Sequence, residues 1–106
     1  MIKHLLMFRF KPAATESDRN AVIAELNSWP GLYPTMRNWS LGTNISERDQ
    51  TYTHAFCVEF NNEDDLKAYL ASERHEAFVH TRWRPLIESR AIASYAYVSL
   101  AQAAGP

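Results

Sequence analysis

Tyr69 and the four histidines are the side chains of this sequence whose types and spacing suit acid/base chemistry. Tyr69 and His75 form the most informative pair, because a neutral imidazole can take a proton while a phenol donates a hydrogen bond to a carbonyl oxygen. On one unbroken helix their side chains would diverge by about 120°. A helix break at Ser72 would let both rings enter one pocket and would place His75 in a first helical turn, where the dipole favours a neutral ring.

A purely structural interpretation suits the same pair equally well. In that interpretation Tyr69 is a core residue, and His75 lies on the surface at the start of a helix. The residue chemistry does not separate the two interpretations. His80 lies five positions after His75, about 140° further round a helix, and its polar neighbours predict that it faces solvent.

His4 and His54 each lie on an apolar strand face, which raises the question of a metal site. If the first and third strands pair antiparallel over their full length, His54 falls opposite Phe8, about 14 Å from His4. Zinc needs ligand nitrogens within about 2.1 Å, so no metal is expected there. Cys57 is the single cysteine, and with no His or Lys beside it we expect a packed, unreactive thiol.

The elements that must position these residues follow the order β-α-β-β-α-α-β. Apolar residues alternate or recur at helical spacing along the chain, and turn and capping residues separate the segments. The predicted strands are 2–10, 36–45, 52–60 and 91–100. The predicted helices run from a cap at Thr15 or Ser17 to Pro30-Gly31, from Asn62 to a break at Ser72, and from Ser72 through Glu88, with a kink at Pro85 and Ile87 on the buried stripe.

This order predicts an α+β fold with a ferredoxin-like protomer, in which helices cover one face of a four-stranded antiparallel sheet. The first strand carries large apolar side chains on both faces. Because the helices can cover only one of them, we expect a homodimer through the sheet face opposite the helices. Residues 1–100 are predicted to form this domain, and 101–106 to form a flexible tail.

Length and composition exclude several other classes of protein. The 106 residues suffice for one domain, and 46% of them are apolar. Eleven basic against twelve acidic side chains give a net charge of −1, so no nucleic-acid partner is expected. No apolar run approaches the ~20 residues of a membrane span, and a signal peptide is not apparent, so we expect no membrane partner and a cytoplasmic location.

Several motifs, taken in their order, resemble the stress-responsive dimeric α/β-barrel (Dabb) domain family. They include the run from Ile2 to Lys11, Pro34-Thr35-Met36 leading to Gly42, Tyr52-Thr53-His54, Asp65 to Tyr69 followed by His75, and Tyr95. The resemblance covers about residues 2–97 and implies a ferredoxin-like protomer whose homodimer closes two sheets into a barrel. It also implies polyketide-cyclase-like chemistry without a metal or redox cofactor. In that chemistry His75 abstracts a proton between two carbonyls while Tyr69 binds the thioester oxygen.

The sequence therefore predicts an apolar pocket between sheet and helices, for a small apolar, phenolic or acyl ligand. An enclosed volume of ~300 Å³ or more that contains both Tyr69 and His75 would favour an enzyme. Tyr69 and His75 are its predicted catalytic pair, and no cofactor is expected. The predicted substrate-binding residues are His4, Leu6, Phe8, His54, Phe56, Val58, Phe78, Val79 and Trp83. Three functions stay open: a cyclase-like or isomerase-like acid/base enzyme, a non-catalytic stress-response homodimer, and a cofactor-free quinol-type monooxygenase.

Overall fold

The computed structural model describes residues 1–98, which contain the predicted succession of strands and helices. The strands are β1 (Ile2–Phe10), β2 (Arg37–Thr43), β3 (His54–Phe60) and β4 (Ile87–Ala96). The helices are α1 (Glu16–Ser28), which continues into a 3₁₀ turn (Trp29–Gly31), α2 (Glu63–Ala71), α3 (Glu73–Phe78) and α4 (Arg84–Leu86), with a π-helical turn (Val79–Trp83) between the last two.

The four strands form one sheet in the order β2-β3-β1-β4, and every neighbouring pair is antiparallel. This is the ferredoxin-like α+β arrangement predicted from the element order. The register between β1 and β3 sets Phe8 opposite His54 and His4 opposite Val58. The full overlap of these two strands, on which the separation of the two histidines depended, is therefore confirmed.

The two faces of the sheet differ in how they are covered. Along β1 the side chains at alternate positions from Ile2 to Phe10 are buried, whereas those between them are half-buried or exposed. Helical side chains pack on the buried face, where Trp83 lies 4.9 Å from Phe8 and Tyr69 lies 5.6 Å from Phe60 between ring centroids. The centre of this core consists of Trp29, Phe8, Phe60, Leu26, Val22 and Val58.

The predicted boundary between the last helix and the last strand is wrong. The helix ends at Leu86 rather than Glu88, and Ile87 opens β4 as the partner of Phe10. Ile87 is buried by this pairing, and its spacing from Trp83 mimics a helical stripe in the sequence. The strand runs from Ile87 to Ala96 rather than over 91–100. Residues 99 and 100 and the predicted tail 101–106 lie outside the described residues.

Pro85 was predicted to kink the helix or shorten its final turns, and the structure shows how the chain accommodates it. A proline has no N–H and cannot make the i→i−4 hydrogen bond of an α-helix. Just before it, the backbone N–H of Arg84 bonds to the carbonyl of Val79, five residues earlier. The resulting π-helical turn lies directly over the sheet, where its Trp83 is buried. Among residues 1–98, no helix has the length and hydropathy to cross a membrane.

Candidate active site

Ser72 separates the two helices that carry Tyr69 and His75. Its backbone is extended, with φ −63° and ψ 145°, and its hydroxyl accepts the His75 backbone N–H at 3.2 Å. The hydroxyl of Tyr33 lies 2.7 Å from the same oxygen and anchors the break. As a result, the ring centroids of Tyr69 and His75 lie 4.9 Å apart at an interplanar angle of 64°. The rings converge, and the alternative in which His75 is a surface residue does not describe its half-buried ring.

His4 extends this pair into a group of three ionisable rings. It is only 3% exposed on β1, and its ring centroid lies 6.3 Å from that of Tyr69. Its Nδ1 atom lies 2.7 Å from the hydroxyl oxygen of Ser94 on the neighbouring strand β4. This hydrogen bond fixes the plane of the ring, whose other side-chain neighbours include Phe56 at 6.2 Å between ring centroids.

The three rings line a cavity of about 240 Å³ between the sheet and the helices. This is below the ~300 Å³ that would favour an enzyme on volume alone, although Tyr69 and His75 both line the cavity. The sheet contributes His4, Leu6, Phe56, Arg90, Ile92 and Ser94, and the helices contribute Leu26, Trp29, Tyr69, Leu70, His75, Phe78, Val79 and Trp83. The walls are therefore largely apolar, with a few polar groups among them.

Burial determines the protonation states of the three rings. It lowers the pKa of His4 to about 4, with the neighbouring His75 contributing, so His4 is neutral near pH 7. Burial also lowers the pKa of His75, although the Leu70 carbonyl and the carboxylate of Glu76 oppose the shift. It raises the pKa of Tyr69 far above its usual value, with Tyr33 adding to the effect. The cavity thus holds two neutral imidazoles and a protonated phenol.

The two nitrogens of His75 are in different environments. Nδ1 has no accessible surface, and no atom within residues 1–98 meets hydrogen-bond geometry with it. The backbone carbonyl of Leu70 raises the pKa of the ring and so favours a proton on it. Nε2 is consequently the nitrogen that a ligand can reach. His75 can therefore act as a base through Nε2.

Neither a metal site nor a reactive thiol accompanies these rings. Within the described part of the chain, no three His, Cys, Asp or Glu side chains lie close enough together to hold a metal ion. Cys57 lies half-buried on the sheet face opposite the helices, and burial raises the pKa of its thiol. His80, predicted to face solvent, is exposed, and its Nε2 lies 3.8 Å from a Glu76 carboxylate oxygen.

Comparison with known proteins identifies the family. A family model described as the stress responsive A/B barrel domain, Dabb, matches residues 2–96. The chain belongs to the Dabb family. The match spans all four strands and the helices over the sheet, so the resemblance inferred from the motifs is confirmed.

Relatives of this Dabb chain include proteins with named activities. Olivetolic acid cyclase from Cannabis sativa is 23% identical over 79 residues, which cover 73% of this chain and 78% of the cyclase. The structure of hydroxynitrile lyase from Passiflora edulis matches with a TM-score of 0.80 and 21% identity, covering 89% of this chain and 90% of the lyase. A Dabb protein from Mesorhizobium loti matches with a TM-score of 0.81 and 21% identity, over 92% and 97% of the two chains. These structural likenesses establish the fold.

Other solved proteins of the same fold are described as dimeric. They come from Bacteroides fragilis, Thermobifida fusca and Jannaschia, with TM-scores of 0.70, 0.76 and 0.74 and identities of 23%, 24% and 15%. Each match covers 91% of this Dabb chain. The description applies to those proteins and bears on this chain only through the fold that they share.

The structure gathers some of the predicted ligand-binding residues of the Dabb chain and separates others. Six of the predicted nine line the cavity: His4, Leu6, Phe56, Phe78, Val79 and Trp83. Phe8 and Val58 are fully buried core residues that do not line it. His54 lies at the other end of the sheet, where its ring stacks on Phe8 at 5.3 Å. The catalytic and ligand-binding roles of all these residues stay predictions.

Strand β4 supplies three cavity residues that the sequence analysis missed. Arg90, Ile92 and Ser94 line the cavity because β4 pairs with β1, which sets Ser94 opposite His4 and Ile92 opposite Leu6. The signal was the alternation within β4, read together with its antiparallel register to β1. Trp29 and Leu26 also line the cavity and were not assigned to the pocket from the sequence.

Proposed function

We propose that this Dabb chain is a cofactor-independent acid/base enzyme that removes a proton next to a carbonyl group of a small apolar substrate. Polyketide-cyclase-like and isomerase-like reactions both begin with this step. The observation that carries the proposal is the approach of the Tyr69 and His75 rings to 4.9 Å on the wall of an apolar cavity. Catalysis of this kind needs a base and a hydrogen-bond donor within reach of adjacent substrate atoms.

His75 is the base in this proposal. Its lowered pKa keeps the imidazole neutral near pH 7, and its buried Nδ1 leaves Nε2 free to face the substrate. The C–H bond next to the carbonyl breaks, its proton moves to Nε2, and its electron pair moves into the carbonyl to form an enolate. The imidazolium then returns the proton to carbon in an isomerisation, or to the oxygen formed when the enolate attacks a second carbonyl in a cyclisation.

Tyr69 is the group that stabilises the enolate oxygen. Burial raises its pKa, so the phenol keeps its proton near pH 7, where His75 is the neutral base. A donor held at the position where negative charge develops contributes most when the site excludes water. Tyr69 itself is only 2% exposed, so its own side chain is shielded from water.

His4 is a second group that can hold the carbonyl. Its ring is neutral, with a pKa near 4, and its Nδ1 is already engaged by Ser94. Nε2 is then the nitrogen that remains for the substrate. In this proposal His4 orients the carbonyl, and it is not a proton acceptor competing with His75.

Two relatives support acid/base chemistry of this class. Olivetolic acid cyclase is similar to this chain in sequence, and the hydroxynitrile lyase is similar to it in structure. Both reactions need a general base, because cyclisation removes a proton from carbon and cleavage of a hydroxynitrile removes one from a hydroxyl group. A cytoplasmic location belongs to the same proposal.

We propose further that the protein forms a homodimer through the sheet face opposite the helices. At the centre of this face lie small and apolar side chains on neighbouring strands, namely Leu5, Met7, Ala55, Cys57, Ala91 and Ala93. Met7 is 37% exposed in the single chain. Neighbours of the same fold are described as dimeric, which favours covering by a second copy.

The dimer is tested by the substitution Met7→Asp. A charge at the centre of an apolar interface should convert the dimer to a monomer, because the carboxylate would be buried without a partner. Light scattering coupled to size exclusion measures the mass of each form. Ile45→Asp is the matched control, since Ile45 is 92% exposed in the loop after β2 and should leave the mass unchanged. A wild-type mass equal to one chain contradicts the proposal.

The enzyme is tested by deuterium uptake at C2 of a simple β-keto thioester, 3-oxooctanoyl-N-acetylcysteamine, followed by NMR. Wild-type protein should accelerate the uptake above the buffer rate, and His75→Gln should abolish the acceleration. His80→Gln removes an exposed imidazole five residues away and should not change the rate. No acceleration by the wild-type protein, together with a dimeric mass, would favour the non-catalytic homodimer instead.

A further inference from the structure

Arg90 is the one permanently charged residue among those that line the cavity. It lies on β4 opposite Phe8, on the same face as Ile92 and Ser94. Four residues along a strand separate it from Ser94, a distance of about 14 Å. Because Ser94 holds His4 beside Tyr69, Arg90 is at the opposite end of the cavity from the proposed acid/base pair.

The charge of Arg90 is not neutralised by any described side chain. The ion pairs within residues 1–98 involve other residues, and none includes Arg90. Glu88, the acidic residue nearest to it in the sequence, accepts a hydrogen bond from the Nε of Arg9 at 3.0 Å. A cation beside an otherwise apolar cavity therefore keeps its hydrogen-bond donors available.

Arg90 also lies at the junction of two hollows. A second hollow of about 400 Å³ shares Val79, Trp83 and Arg90 with the cavity, and its other residues are Arg84, Ile87, Glu88 and Ser89. Because the carboxylate of Glu88 is paired with Arg9, the guanidinium groups of Arg84 and Arg90 give this junction a net positive charge. An elongated ligand can lie in the cavity and place one end at the junction.

We infer that Arg90 binds an anionic oxygen group, a carboxylate or a phosphate, at the end of the substrate remote from the reacting carbonyl. This inference rests on the proposed function and specifies its substrate class. The substrate is an apolar chain with a carbonyl at the Tyr69–His75 end and an anion on the order of 10 Å away, after the reach of the arginine side chain is subtracted from the span along β4. The guanidinium fork suits both oxygen groups.

The experiment compares three ligands that differ only at the remote end: 9-oxodecanoate, the neutral 9-oxodecanamide, and 9-oxodecyl phosphate. Isothermal titration measures the Kd of each for wild-type protein, Arg90→Gln and Arg82→Gln. Arg82 is the matched control, because it is exposed beside Glu25 and lines neither hollow. Chemical shifts of the His75 ring report whether the ketone end occupies the cavity, and thermal melts check that the variants are folded.

The keto acid or the phosphate should bind wild-type protein about tenfold more tightly than the amide, the ratio expected for a hydrogen-bonded charged group. Arg90→Gln should remove this preference and leave the Kd of the amide unchanged, while Arg82→Gln retains it. The tighter of the two anions identifies the group. Equal binding of acid and amide with a shifted His75 signal would overturn the role of Arg90 and leave the proposed function intact. Absence of any binding, with no shift at His75, would overturn both.

Discussion

His4 and His54 lie on the same face of the sheet, on neighbouring strands, yet only His4 lines the cavity. His4 is buried and hydrogen-bonded to Ser94, with Tyr69 beside it. His54 is half-buried, its ring lies parallel to Phe8, and its Nδ1 is 2.7 Å from the exposed hydroxyl of Thr53. The two histidines therefore occupy equivalent positions on the sheet, but the helices cover them differently.

The difference arises from what covers each end of the sheet. Over His4, the helix is interrupted at Ser72. The two short helices on either side of Ser72 leave space above the sheet, and Tyr69 and His75 line that space. Over Phe8, the π-helical turn places Trp83 at 4.9 Å from the ring, so Phe8 is fully buried and does not line the cavity. A strand assigns a side chain to a face, but the break in the covering helix decides which part of that face becomes a site.

The largest expected contrast between the two ends is in activity. Tyr69→Phe should reduce the enzymatic deuterium uptake by about a hundredfold to a thousandfold, since the enolate oxygen loses a preorganised donor. His54→Gln, at the other end, should change the rate by less than about twofold, the effect of a residue outside the site. NMR exchange rates at a fixed protein concentration measure both. Equal losses in the two variants would place the reaction elsewhere than in this cavity.

A second contrast concerns stability in acid. In the unfolded chain His4 has its ordinary pKa of about 6.5, whereas in the folded protein burial lowers it to about 4. As the pH falls below 6.5, the unfolded state takes up the proton first, so stability is lost, by up to about 3 kcal/mol at pH 4. Burial also lowers the pKa of His54, with Arg19 contributing, but that ring is only half-buried.

Urea denaturation at pH 7 and at pH 4.5 measures this effect. His4→Gln should remove most of the loss that is due to burial of a histidine, because an amide does not titrate. His54→Gln should keep most of the wild-type loss. If His4→Gln loses as much stability between pH 7 and pH 4.5 as the wild-type protein does, other groups account for the acid sensitivity.

The sequence was a good guide to the sheet and to the pairing of its strands. Alternation along β1 identified which side chains face the helices, and the expected overlap with β3 correctly separated His4 from His54. The sequence also predicted that Ser72 caps a new helix, because a hydroxyl at that position can accept the free backbone N–H of His75. These features depend on local chemistry and on one register.

The contribution of β4 to the cavity could not be predicted from the sequence in the same way. Ile87 continues the apolar helical pattern of Trp83 and Leu86, and only pairing with β1 ends the helix at Leu86. That pairing then brings Arg90 and Ser94 to the cavity from positions eighty or more residues beyond the end of β1. For Phe8 and Val58 the face was right, but which residues on that face line space, and which pack against side chains, depends on helix placement.

The smallest expected contrast compares the two hydrogen bonds to the histidine rings. Ser94→Ala removes the hydroxyl that is 2.7 Å from Nδ1 of buried His4 and should destabilise the protein by about 1 kcal/mol. Thr53→Ala removes the hydroxyl at the same distance from Nδ1 of His54, but in an exposed setting, and should cost less than about 0.5 kcal/mol. Denaturation midpoints at pH 7 measure both. A larger cost at Thr53 would show that the His54 end holds the sheet together more tightly than its exposure indicates, and the distinction between a covered and an open end would then not extend to energetics.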